Sequence, residues 1–164
     1  MADSTMRALY NIGGGVPLTL SYAIASSEAW SVGSVVGMNG AGALLEVADD
    51  SSDVWGLTLE SVTAGAATGP ITDLCAVTPF TYGVVYATKE PISLTNTPVA
   101  ADIGEIRDLD LDGTNGWGIH ASASATSNTP TFRIVDIDTI RNEWHVVIAP
   151  LELADVFQWL DAAV

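Results

Sequence analysis

Between Val16 and Ile148 apolar residues alternate with polar ones in several short runs cut by glycine, asparagine and proline. That period puts alternate side chains on opposite faces of an extended chain, and runs of this length bury their apolar face by pairing as strands. VPLTLSYAIA alternates around Leu18, Leu20 and Tyr22, and SVGSVVG continues with β-branched residues. Asn39-Gly40 takes readily to the positive φ angles of a tight hairpin, so the run Ala43 to Ala48 is expected to return as the partner strand. VWGLTLESVT alternates again through Trp55, Leu57 and Leu59, with Gly56 leaving room for close backbone contact. One or two further strands are expected through Tyr82, Val84 and Tyr86.

The ends depart from this pattern. Residues 1–15 hold few apolar anchors ahead of Gly13, Gly14 and Gly15, and are expected to form an extended N-terminal arm on a glycine hinge. After Pro150 the period changes: Leu153, Val156, Phe157 and Leu160 fall at i, i+3, i+4 and i+7, the stripe of a helix. Proline suits the first turn, and Glu152 and Asp155 complement the positive end of the helix dipole. Trp159 lies off the stripe, where it either caps the apolar face or, with Phe157, meets a neighbouring subunit. Pro91, Pro98 and a lack of periodicity mark a connector. The expected organisation is mainly β: an arm over 1–15, a first β subdomain over 16–88, a connector over 89–100, a second β subdomain over 101–149, and a C-terminal α-helix over 150–164. Each subdomain is expected to be barrel-like or sandwich-like.

Charge narrows the partners. Five Lys and Arg stand against 20 Asp and Glu, a formal net charge of −15, and the cations are scattered singly. Nucleic-acid binding needs clustered cations to displace counterions, so no nucleic-acid partner is expected. Cys75 is the only cysteine, which excludes an intramolecular disulfide and a thiolate zinc cluster. No run approaches the 18 apolar residues of a membrane span, and MADSTMRALYN lacks the apolar core of a signal peptide, so synthesis in the cytosol and no membrane partner are expected.

Chemistry is harder to find. Asp108, Asp110, Asp112 and Gly113 match positions 1, 3, 5 and 6 of a calcium-binding loop, but position 12 is Ile119 instead of glutamate, and Leu109 and Leu111 continue a strand alternation. The favoured expectation is a solvated acidic strand edge that discourages aggregation; the alternative is a calcium-dependent binding or adhesion module, which could recruit Asp136 and Asp138. His120 and His145 stand in no nucleophile–base motif, and no phosphate-cradling glycine loop occurs, so neither catalysis nor a cofactor is expected.

The block from Ile103 through the GTNG turn, ASASAT, FRIVDID and HVVIA, preceded by SVGSVV, GALLEVA and VWGLTLESV, resembles the decoration, or cementing, proteins of tailed-bacteriophage heads over roughly residues 15–149. That resemblance implies a non-enzymatic virion protein on the outer capsid surface that clamps neighbouring major capsid proteins, as a homo-oligomer and often a trimer. The C-terminal helix lies outside the pattern. Met6, Leu9, Tyr10 and Ile12, apolar residues ahead of the glycine hinge, are the expected capsid-binding segment, able to add a strand to a partner's open edge.

Overall fold

A computed structural model describes residues 6–48, 54–63, 74–81, 83–91, 95–112, 114, 116–120 and 131–149. The expected C-terminal helix, with Phe157 and Trp159, lies outside the described residues. The described chain is mainly β. Its strands are β1 (Arg7–Asn11), β2 (Leu20–Ala23), β3 (Val35–Met38), β4 (Leu44–Glu46), β5 (Gly56–Thr58), β6 (Leu74–Pro79), β7 (Val84–Thr88), β8 (Ile106–Asp112), β9 (Gly116–Ile119), β10 (Thr131–Asp138) and β11 (Glu143–Ala149). They pair antiparallel in two sheets, ordered β1-β7-β11-β10-β8-β9 and β2-β6-β5-β3-β4. A single 3-10 turn, Ala100–Asp102, precedes β8. Among the described residues no helix is long and apolar enough to cross a membrane.

The five-stranded sheet curls back on itself. Ile24, just past β2, forms a parallel bridge with Leu44 of β4, and the Ala25 N–H donates to the Leu44 carbonyl at 2.8 Å. Trp30 and Val62 exchange backbone bonds of 3.0 and 2.9 Å across one end. Inside the curl Trp30, Val36, Leu44, Cys75 and Val77 form one apolar cluster, with Tyr22, Ile24, Met38 and Val62 packed on it. Cys75 is fully buried there, its thiol donating to the Ala76 carbonyl at 3.5 Å, and burial pushes the thiol up. It is a small hydrophobe with no exposed thiolate.

The larger core lies between the sheets. Val35 and Leu57 leave the outer side of the curl to meet Met6, Val84, Tyr86, Leu109, Trp117, Phe132 and Trp144. Adjacent valines therefore serve different cores: Val36 points into the curl and Val35 into the sandwich. Phe80, Tyr86 and Phe132 meet edge to face with centroids 5.4, 5.6 and 6.1 Å apart. The Tyr86 hydroxyl donates to the Pro79 carbonyl at 3.1 Å, and burial raises its pKa to about 12.

One expectation requires correction. The segment 1–15 was expected to be a free arm, yet Met6 is only 1% exposed, and β1 is an integral strand of the six-stranded sheet, in register from Arg7↔Ala87 to Asn11↔Val84. Gly13–Gly15 form a turn, with Gly14 donating to the Asn11 carbonyl at 2.9 Å and the Asn11 side chain to the Val16 carbonyl at 2.8 Å. The cause is the apolar side chain of Met6, whose burial anchors the segment. β7 precedes residues 89–100 and β11 follows them, and the two are antiparallel neighbours in the six-stranded sheet.

Gly56 shows how tightly the five-stranded sheet is built. It faces Pro79 and Val36 on either side, and a Cβ there would press on the Thr78 carbonyl, Pro79 Cα and Val77. Gly13 has nothing within 4 Å of the same added atom. Gly56→Ala is expected to cost about 3 kcal/mol in urea unfolding through overpacking, and Gly13→Ala to stay within about 0.5 kcal/mol of the wild type.

Candidate docking site

Among the described residues the β1 side of the six-stranded sheet is an edge, with β7 as its only sheet neighbour. The register shifts between Ala8 and Tyr10, a bulge that re-aims the strand, and beyond it the apolar side chains turn outward. Tyr10 is 47% exposed and Ile12 65%, while Met6 is buried and Leu9 half-buried. Of the four residues expected to bind a capsid, the structure thus leaves Tyr10 and Ile12 at the surface and commits Met6 to the core. Val16 and Leu18 continue the exposed apolar run beyond the glycine turn, at 86% and 54%, and were not singled out from sequence. Their alternation resembled that of a strand, and only the absence of a partner there distinguishes them.

Arg7 holds the strand's start to β11. Its guanidinium makes two parallel bonds to Glu143, 2.7 and 2.8 Å, with Glu143 nearly buried and Arg7 about half exposed. The hydrogen bond from Arg7 lowers the Glu143 pKa, against its partial burial. The adjacent hairpin is capped by Asp138, which accepts the Ile140 and Arg141 N–H groups at 2.9 Å and pairs with the Arg141 guanidinium at 3.2 Å. These bonds, the Arg141 N–H foremost, lower its pKa.

Asp138, Glu143 and His145 are, among the described residues, the group whose ligand atoms lie within 4.8 Å of one another. Both carboxylates are engaged by arginines, and His145 Nδ1 stands 3.6 Å from Asp136, so an arriving cation competes with ion pairs already in place. His145 is a strand residue of β11, and His120 follows β9 with its N–H on the Asp108 carbonyl at 2.9 Å.

The aspartate ladder is a strand, β8, but not a solvated edge. Asp108 and Asp110 are each only 8% exposed, lying between β9 and β10, while Asp112 is half-buried and accepts the Thr114 N–H at 2.9 Å. Sequence alternation assigned them correctly to the face opposite Leu109 and Leu111, but not to a covered face. Alternate residues of one strand stand about 6.6 Å apart, a spacing that spreads the three side chains along the strand, not around one ion. Asp136 and Asp138 cannot complete a cage with the ladder's end, because β10 meets β8 at Thr131↔Asp108 and runs away from Asp110.

Sequence inspection also missed a buried polar network. Asp102 accepts the Val99 N–H at 3.0 Å and the Trp144 indole N–H at 2.7 Å, and pairs with Arg107 at 2.9 Å. Arg107 is almost fully buried, 2.8 Å from Glu105 and 5.2 Å over the Trp144 ring. An acid three residues after the extended Val99 was the available signal. Burial raises the Asp102 pKa, but the Val99, Trp144 and Arg107 interactions together outweigh it and hold the carboxyl below its ordinary value.

With Asp102 and Glu143 both depressed, their contribution to stability is present above the unfolded carboxyl values, about 3.9 and 4.3, and is lost as pH falls through the lower folded values. Glu46, raised by burial and by Glu28, acts in the opposite sense. Asp102→Asn is expected to cost about 2 kcal/mol at pH 7. Urea unfolding from pH 7 to pH 2.5 should show the gap between variant and wild type closing below about pH 4.

No family model matches this chain, and no curated protein and no solved structure is significantly similar to it.

Proposed function

We propose that this chain is a structural virion protein that binds the outer surface of a phage capsid and stabilises it by bridging neighbouring major capsid proteins. The partner is suggested by the sequence resemblance. The observation that carries the docking role is the β1 edge, where Tyr10 and Ile12 stand in solvent on a strand anchored by Met6 and Arg7. Anchoring matters because a pre-ordered contact loses little entropy on binding. The site differs from the flexible segment expected from sequence: the strand is already paired, and its outer side chains make the contact.

The net charge of −15 suits this role in two ways. It keeps a protein needed in many copies soluble, and it steers the protein toward a basic patch on the capsid, an attraction that salt weakens. No reaction is involved, and no cofactor is required by the proposed role.

Tyr10→Asp with Ile12→Asp is expected to lower occupancy of expanded heads at least about tenfold, the equivalent of about 1.4 kcal/mol, since fully burying one such side chain is worth about 1.5–3 kcal/mol. Electron microscopy of heads mixed with each protein measures occupancy and symmetry together, while circular dichroism checks that the variant folds. Unchanged occupancy by a folded double variant overturns the assignment of this edge.

A further inference from the structure

We infer that β1 is exchanged between two copies of this chain, each donating the strand to the other's six-stranded sheet. Apart from the bonds that Asn11 makes to the glycine turn, the contacts cited for the strand come from residues far along the sequence. β7 supplies the pairing from Val84 to Ala87, the Gly83 carbonyl accepts the Ile12 N–H at 2.7 Å, and Glu143 receives Arg7 across 136 positions. Met6 inserts among Val84, Tyr86 and Trp144 of the inter-sheet core. A second copy's strand can make all of these contacts unchanged, so the choice between donors falls to the connection between β1 and β2.

That connection, Ile12–Thr19, is built for two conformations. Gly14 and Gly15 hold the turn at φ +89° and +90°, a region glycine enters without strain, and Gly13, Gly14 and Gly15 have no heavy atom within 4 Å of an added Cβ. The turn is thus held by the Asn11 hydrogen bonds to Gly14, Gly15 and Val16 and not by packing around its glycines. Extended, eight residues reach about 26 Å, enough to carry β1 to an adjoining copy. In the turned form Val16 and Leu18 stand 86% and 54% exposed on the connection itself. In the exchanged form two such connections cross side by side, and these residues become their shared contact. Tyr10 and Ile12 travel with the strand and keep their place on the sheet edge, so capsid docking and exchange use different side chains.

The Arg7–Glu143 pair gives a test that needs no capsid. Arg7→Glu and Glu143→Arg chains, one mass-tagged, are unfolded together in urea, refolded, and weighed by native mass spectrometry. Exchange restores the pair at both sites of a mixed complex and at neither site of a like complex. Mixed two-chain complexes are therefore expected to exceed like ones at least tenfold. A chain carrying Arg7→Glu and Glu143→Arg together regains the pair within its own sequence and should form two-chain complexes at the wild-type level. A mixture that stays unmixed beside a normally behaving doubly substituted chain overturns the inference. Should the charge variants fail to refold, Val16→Asp with Leu18→Asp, at exposed positions, should lower the wild-type two-chain fraction at least tenfold. An unchanged fraction, or a wild type that is single-chain throughout, overturns it equally.

Discussion

Burial of the five-stranded sheet on both faces is the constraint on which the rest of the structure depends. One face closes around Trp30, Val36, Leu44, Cys75 and Val77, and the other meets the six-stranded sheet through Val35 and Leu57. A strand in that position tolerates neither a bulky residue where backbones approach nor an unpaired polar group, which is why Gly56 lies where Pro79 and Val36 flank it. The paired hydroxyls follow the same rule: Thr58 donates to the Ser31 carbonyl at 3.0 Å and accepts the Ser34 N–H at 3.1 Å.

Charge is distributed by the same logic. Three of the arginines hold carboxylates: Arg7 with Glu143, Arg107 with Asp102 and Glu105, and Arg141 with Asp138. Arg133 donates to the Gly104 carbonyl at 2.9 Å. The few cations are thus drawn into fixing β1, the turn before β8 and the β10–β11 hairpin. What they leave to the field around the molecule is overwhelmingly negative.

The strands were legible in the sequence because their period is set by local geometry. Leu44, Leu57, Val84, Phe132 and Val146 all fall in runs that alternate or are β-rich, and Asn39 turns the β3–β4 hairpin, its side chain accepting the Ala41 and Ala43 N–H groups. Pairing was not legible. Nothing local tells Arg7–Asn11 that its partner is Val84–Thr88, and the glycine triplet signalled flexibility where it makes a turn. The ladder failed for a related reason: alternation assigns Asp108 and Asp110 to a face, whereas cover depends on neighbouring strands. Within Met6–Ile12, burial of Met6 decides which residues reach the surface, and no local pattern shows that burial.

The position of β11 carries a consequence for synthesis. This strand lies between β7 and β10, so without it the sheet's two wings, β1-β7 and β10-β8-β9, have no strand ladder between them, only the Ile119 N–H on the Lys89 carbonyl at 3.2 Å. A growing chain can close the small curled sheet as soon as β6 has left the ribosome. The larger sheet must wait for residue 149, and for that interval Met6, Tyr86 and Phe132 are without their final enclosure. Through that interval the exposed core depends on how soon β11 is laid down.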